Sequence, residues 1–416
     1  MRIAVIGAGA AGLTTAWLLQ DDHEVTLLEK QDRLGGHAHT VEVDQDGVTA
    51  AVESGFEFFI EDVCPAFSRL LRVLKAPLQR YPMTFTLYNE RSGAVHLMPP
   101  KRGNGYHWPA FAPRSLSYML QFDWFLRQAA RLVARREVTA NIGDFVASWP
   151  LSARFREEFL FPFLMGGWGI PYRNFQRMSA YNVLKYLVIH RPEGLAPREF
   201  SEIAGGTVAY VTALRDAAAR VAVFTRYEIR CIRRSAEVYE LIDADGNRKE
   251  FDHLVFATNA AEACRLLHCV PEAAPQREVL GRFRYFPTVI AVHGDRRLMP
   301  PERNHWSVFN VRWSNRGSFT TVWKEQPVPF PIFKSWVDPA APLPEPLYKL
   351  TRYEHPFLDA EHFRAQQSLA ALQGQSNLWF AGAHTHDIDC HESAVVSAIH
   401  VARRLAHKSG NLARLV

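Results

Sequence analysis

Ile3-Ala4-Val5-Ile6-Gly7-Ala8-Gly9-Ala10-Ala11-Gly12 opens the chain, and Glu24-Val25-Thr26-Leu27-Leu28-Glu29 follows within one helix length. The apolar run Ile3 to Ile6 reads as a buried strand, Ala11 to Gln20 as a helix, and Glu24 to Glu29 as the next parallel strand. Each glycine has its own task. Gly7 permits the tight turn out of the strand, Gly9 lets backbone approach a pyrophosphate, and Gly12 lets the helix pack closely on the sheet. The helix start, with Ala10 and Ala11, then turns free N–H groups and a positive dipole end toward the phosphates. Glu29, about 20 residues on, is placed to accept both hydroxyl protons of an adenosine ribose and would repel a 2′-phosphate. A glycine triplet alone also occurs in ordinary tight turns. Here strand, helix and acid stand together at matching spacing, which specifies a dinucleotide site.

Bulk properties narrow the classes. A chain of 416 residues, 48% hydrophobic, is long enough for two substructures with a sizeable core. The net charge of +5 permits attraction to an anionic membrane surface. A nucleic-acid footprint would cluster Lys and Arg more strongly, so no such partner is expected. Cys64, Cys231, Cys264, Cys269 and Cys390 are odd in number and form no CxxC pair, which argues against disulfides and a zinc ribbon and fits a reduced cytoplasm. The first residues enter a strand at once, so no signal peptide is expected, and no apolar run approaches a membrane span. A cytoplasmic location follows, with peripheral contact at the inner membrane surface left open, as is the oligomeric state.

After Glu29 comes Lys30-Gln31-Asp32-Arg33-Leu34-Gly35-Gly36-His37. An acid followed by this spaced arginine and glycine pair resembles the FAD fingerprint of the flavin amine oxidase and phytoene desaturase superfamily. The resemblance implies FAD rather than NAD, with Glu29, Lys30, Gly35, Gly36 and His37 at the cofactor. In that superfamily an arginine usually follows the glycine pair. His37 stands there instead, and a histidine is only partly charged near neutral pH.

The likeness continues in order along the chain. Glu53-Ser54-Gly55-Phe56 resembles the segment beside the flavin ring, and Gly205-Gly206-Thr207 with Leu214 resembles the start of a second cofactor segment. Ile229 matches the position that clamps adenine through backbone contacts, and Ala257-Thr258 closes a strand that returns to the cofactor. Leu378 to Ala383, ending on Gly382-Ala383, resembles the last strand, and His391-Glu392-Ser393-Ala394 the start of a closing helix over the pyrophosphate. His293-Gly294-Asp295, Leu298-Met299-Pro300, Trp306 and Glu354-His355-Pro356 resemble a bacterial amine-oxidase-like branch, similar to polyunsaturated fatty acid isomerases and fatty acyl desaturases. The implied fold is α/β. A Rossmann-like FAD-binding domain of glutathione-reductase type is assembled from residues 1–80, 196–272 and 370–416, with an α+β substrate domain from 81–195 and 273–369. The substrate site is expected where the two meet.

Other features have two readings each. Leu116, Leu120 and Trp124, then Arg127, Arg131 and Arg135, make one helix apolar at one end and basic at the other. It reads as a surface helix dipping into an anionic bilayer, or as an ordinary amphipathic helix with a solvated basic face. Phe155, Phe159, Phe161, Phe163, Trp168, Tyr172 and Phe175 read as the wall of an apolar tunnel or as core packing. His384, His386, Asp387, Asp389, Cys390, His391 and Glu392 form the densest set of metal-ligand types, but their spacing matches no zinc or iron pattern, so no metal is expected.

Glu392 is expected near the pyrophosphate or ribityl hydroxyls, and His384 and His386 at the ring edge as proton donors or acceptors. Glu57, two residues past Gly55, is the first candidate base. Many amine oxidases of the superfamily place a lysine near the flavin, whereas the corresponding strand Thr288 to His293 has none. That departure favours desaturation or double-bond isomerisation of an apolar acyl or polyene chain, an apolar small-molecule or lipid substrate. A flavin-dependent amine or amino-acid oxidase and an FAD-binding module without redox activity are the alternatives.

Overall fold

The computed structural model describes residues 1–102, 105–189, 198–314 and 317–416. Its opening motif forms β1 (Arg2–Ile6), α1 (Ala10–Leu19) and β2 (Glu24–Leu28). β1 pairs in parallel with β2 on one side and with His253–Phe256 on the other, and Ala222–Phe224 and Leu378–Phe380 extend the sheet at its two ends. Burial on both faces explains the near-continuous apolar runs. Ile3 and Val5 pack with α1 and the closing helix His391–Leu405, while Ala4 and Ile6 meet Ile229, Leu241 and Phe256 on the opposite face. All ten residues of α1 are buried, which is why its sequence is apolar or small all round. The parallel strands therefore come from three separated stretches of chain.

A second body is built on a seven-stranded sheet. Its order is Leu347–Pro356, Tyr285–His293, Phe333–Trp336, Gly317–Val322, Phe309–Ser314, Phe85–Asn89 and Val95–Met98. Residues after 81 thus begin with two strands rather than helices, because Phe85–Asn89 docks in parallel on Phe309–Ser314, more than 200 residues away. Beyond them α3 (Pro113–Ala134) and the helices up to Ile189 pack an aromatic core around Phe125, Phe155 and Phe175. The segment boundary expected at 195–196 lies outside the described residues. The two bodies are tied by Glu199–Ile203, which pairs antiparallel with Leu78–Pro82 and bridges to Phe59. Among the described residues no helix is long and apolar enough to cross a membrane.

Candidate active site

Two glycine loops meet at the C-terminal end of β1. Gly7 has φ +98°, and a Cβ there would lie 2.8 Å from the Ala257 carbonyl oxygen, while a Cβ on Gly12 would lie 1.9 Å from the Gly7 oxygen. A Cβ on Gly9 would meet nothing nearer than the Gly36 Cα at 4.0 Å, so Gly9 alone of the three faces open space. Gly35 N–H donates to the Ala8 oxygen at 2.8 Å, laying the second loop on the first beside the start of α1 at Ala10 and Ala11. Glu29 is fixed at the rim by accepting Ala8 N–H at 2.7 Å and Gln31 N–H at 2.9 Å. Tyr227 N–H donates to the Glu29 carbonyl at 2.9 Å, which leads the strand beginning at Ile229 past the same rim.

The remaining groove positions surround this cradle unevenly. Ala257 and Thr258 lie against Gly7. Gly382, at φ +143°, donates its N–H to Ser397 Oγ at 2.8 Å, with Ala383 starting the next turn. Ser393 and Ala394 occupy the first turn of the closing helix. Lys30 is half exposed and 3.9 Å from Glu262.

Arg33 Nη1, two residues before Gly35, is buried without a hydrogen-bond partner. A buried guanidinium nitrogen left unpaired beside an open backbone cradle fits a pyrophosphate. His37 does not supply that charge. Its ring packs against Tyr353 and His355, and although the residue is exposed, desolvation by these neighbours, with the charges of His355 and Arg33, pushes its pKa down to about 4. The positive group in this loop is the arginine before the glycine pair.

Three expected site residues have other partners in the structure. Glu392 spends both oxygens on the Ala66 and Phe67 N–H groups, at 2.9 and 2.8 Å, in the first turn of α2 (Pro65–Leu74). It caps that helix, which needs an anion at its positive end. His384 is buried edge-on to Phe283, and burial pushes its pKa down to about 4. His386 packs against His400. Neither histidine lines the chamber described next.

The other ligand types of that segment find separate partners. Asp387 binds Tyr181 and Lys185, Asp389 binds His355, and His391 binds Tyr210. Among the described residues no group of three His, Cys, Asp or Glu is placed to hold a metal ion.

A chamber of about 980 Å³ lies between the two bodies. Phe85, Leu97, Met98, Phe122, Phe159 and Phe163 are among its apolar walls, and Gly55, Glu57, Lys334, Trp336, His355 and Asp389 also line it. The aromatic cluster noted in the sequence divides: Phe159, Phe163 and Trp168 face the chamber, whereas Phe155 and Phe175 are fully buried core.

Glu57 is held between two ammonium groups, Lys324 at 2.7 Å and Lys334 at 2.8 Å. Burial alone would raise its pKa, but the two lysines outweigh burial and hold the carboxyl below its usual range. It is therefore ionised yet has both oxygens engaged, which removes it as a free base. Glu202 shares only Lys324 and faces the charge of Glu57, so burial leaves its pKa raised.

Lys334 corrects another inference. Thr288 to His293 lacks a lysine, but its antiparallel neighbour sets Lys334 opposite Val292, with Nζ donating to the Gly55 carbonyl at 2.7 Å. The site has a buried ammonium after all. Its signal was a lone charge in the apolar run Ile332-Phe333-Lys334-Ser335-Trp336.

His355 and Asp389 form a second polar pair on the wall, Nδ1 to Oδ2 at 2.9 Å. Asp389 is enclosed, and the hydrogen bond from His355 outweighs burial to keep its pKa below the usual carboxylate value. Its backbone oxygen also accepts from the Tyr186 hydroxyl.

A family model for flavin containing amine oxidoreductases matches residues 10–294. Among curated proteins, the flavin-dependent L-tryptophan oxidase RebO of Lentzea aerocolonigenes is 47% identical over 55 residues, which span 13% of this chain and 12% of the relative. An L-amino-acid oxidase of Pseudechis australis is 47% identical over 47 residues, 11% of this chain and 9% of its own length. Both matches are short segments. Solved structures align almost end to end. A CLA-producing fatty acid isomerase from P. acnes gives a TM-score of 0.70 at 16% identity, covering 97% of this chain and 98% of its own. Cyclohexylamine oxidase from Brevibacterium oxydans IH-35A gives 0.68 at 15%, covering 97% and 99%. At such identities these likenesses establish the shared fold.

Proposed function

The chain belongs to the flavin containing amine oxidoreductase family, and within it we propose an enzyme that abstracts hydride from a long apolar substrate, a fatty acyl or polyene chain. It is a flavin-dependent oxidoreductase with FAD as cofactor. Gly9, Gly36, the start of α1, Glu29 and Arg33 would hold the nucleotide, and bound FAD would supply the hydride acceptor.

One observation carries the choice of substrate. Every carboxylate on the chamber wall already has a cationic or histidine partner: Glu57 has Lys324 and Lys334, Asp123 has Arg127, and Asp389 has His355. A substrate ammonium would find no unpaired counter-charge among these residues, while an alkyl chain finds mostly aromatic and aliphatic wall. The fold shared with a fatty acid isomerase is compatible with this reading, and so is the fold shared with amine oxidases.

The chain's own groups then divide the work. The aromatic walls exclude water and align the substrate. Lys334 fixes the Gly55 carbonyl and Glu57 at the polar end. With Nδ1 engaged by Asp389, His355 keeps Nε2 as the ring nitrogen able to accept a proton in a desaturation. An isomerisation, in which hydride returns to the same substrate, needs no such transfer.

Anaerobic mixing of the yellow holoenzyme with unsaturated fatty acids, phospholipids, polyenes and amines tests the reading. Bleaching of the flavin band, or a product of unchanged mass, is expected from an unsaturated chain. Bleaching by amines alone, with peroxide on readmitting oxygen, would assign an amine oxidase. Bound flavin that no substrate reduces or turns over would assign a non-redox module.

A further inference from the structure

We propose that the exposed face of α3 and the turn before it dock the mouth of the chamber onto an anionic phospholipid bilayer. Fourteen large hydrophobic residues are exposed among the described residues, and six fall between Tyr106 and Leu120. Trp108 is 76% exposed, Leu120 74%, Met119 49% and Leu116 42%. Burying such side chains is what a folded chain ordinarily does, so a contiguous group left in solvent marks an interaction surface.

The patch is continuous with the chamber. Ala110, Ser115, Met119, Phe122 and Leu126 line the cavity from the same turn and helix, and Met119 is both lining and exposed. The apolar surface outside is thus the rim of the apolar surface inside.

Charge selects the occupant. Residues 113–136 contain Arg114, Arg127, Arg131, Arg135 and Arg136 against the single acid Asp123, so this one helix and its end carry most of the chain's net +5. Arg114 is partnered by Glu158, Arg127 by Asp123 and Arg136 by Asp387 at 3.9 Å, while Arg131 and Arg135 are exposed further along. At 3.6 residues per turn, Leu116, Leu120, Arg127 and Arg131 fall on one stripe, apolar at one end and basic at the other. Indole and aliphatic groups that enter the acyl boundary, followed by arginines that reach lipid phosphates, describe an interfacial helix. A protein partner would not call for the apolar channel behind the patch. A bilayer does, because its chains reach that channel without crossing water.

The inference concerns docking and stands apart from the redox chemistry, so its test reads binding. Holoenzyme is floated with phosphatidylcholine vesicles and with vesicles of phosphatidylcholine and phosphatidylglycerol. Binding to the anionic vesicles, weakened by salt, is expected, with little binding to the neutral ones. Trp108→Ser with Leu120→Ser should lower it about tenfold or more, and so should Arg127→Glu with Arg131→Glu. None of the four lines the chamber, so flavin content and thermal midpoint serve as folding controls. Wild-type protein that ignores anionic vesicles, or folded variants that bind as well as wild type, would overturn the proposal. So would loss of a dimer in the variants with vesicle binding unchanged, which would assign the face to a second copy of the chain.

Discussion

His355 Nδ1 stands 2.9 Å from Asp389 Oδ2 on the chamber wall, joining the edge strand Leu347–Pro356 to the turn before the closing helix. The carboxylate fixes which ring nitrogen carries the proton, leaving Nε2 as the acceptor. If turnover is a desaturation, His355→Gln and Asp389→Asn should each lower kcat by about 10²-fold with flavin content retained. The double variant should lose little more than either single, because the two act as one unit. Stopped-flow reduction of the flavin checks this. In an isomerase both variants would keep most of their activity.

The glycines of the opening motif should fail in different ways. In Gly12→Ala the new Cβ would sit 1.9 Å from the Gly7 oxygen, a backbone atom that cannot move without breaking β1 from α1. In Gly9→Ala the new Cβ projects into open space, with its nearest neighbour at 4.0 Å. Gly12→Ala should therefore be insoluble or show a thermal midpoint lowered by many degrees. Gly9→Ala should fold with native circular dichroism yet purify colourless, and fluorescence titration should show FAD binding weakened about tenfold or more, since the methyl takes the place of a close phosphate.

Legibility followed sequence distance. The nucleotide cradle is built by Gly7, Gly9, Gly12, Glu29, Gly35 and Gly36, which lie within 30 residues and whose conformations are dictated locally by φ values and strand periodicity. Polar side chains at the chamber were hidden because their partners are distant. Glu57 reads as a free acid until Lys334, from the strand Phe333–Trp336, and Lys324 close on it, and Glu392 reads as a phosphate neighbour until α2 places Ala66 and Phe67 against it. Strand pairing explains the lysine: a search of Thr288 to His293 cannot see Lys334, which enters by antiparallel register.

Those lysines make Glu57 a stability determinant. Glu57→Gln would remove the carboxylate charge shared by Lys334 and Lys324, leaving Glu202 as the one carboxylate of the cluster, while both lysines remain buried. Removing one member of a buried ion cluster costs about 3–5 kcal/mol, so the thermal midpoint of the holoenzyme should fall markedly. Glu57→Gln combined with Lys334→Met removes the orphaned charge as well and should recover part of the loss. A Glu57→Gln midpoint equal to wild type would show that the cluster contributes nothing.

Buried histidines set the response to acid. Burial pushes His293 down to about 4, His362 to about 3, His384 to about 4 and His391 to about 3. In the unfolded chain these imidazoles titrate near 6.5, so around pH 5.5 the unfolded state binds about three to four protons that the folded state refuses. Because the folded pKa values are depressed, stability rises with pH from about 4 to about 6.5 and is lost as pH falls through that window. Glu202 works the other way, since its raised pKa lets the folded protein hold a proton the unfolded chain has released. Net uptake on unfolding near pH 5.5 is therefore expected, and His37, His39 and His96, pushed down to about 4 as well, add to it. Glu57, with its lowered pKa, adds a further loss only once pH falls below its ordinary carboxyl value. Scanning calorimetry in buffers of different ionisation enthalpy reads the proton count directly. Zero uptake or release at pH 5.5 would mean that these rings are charged in the folded protein.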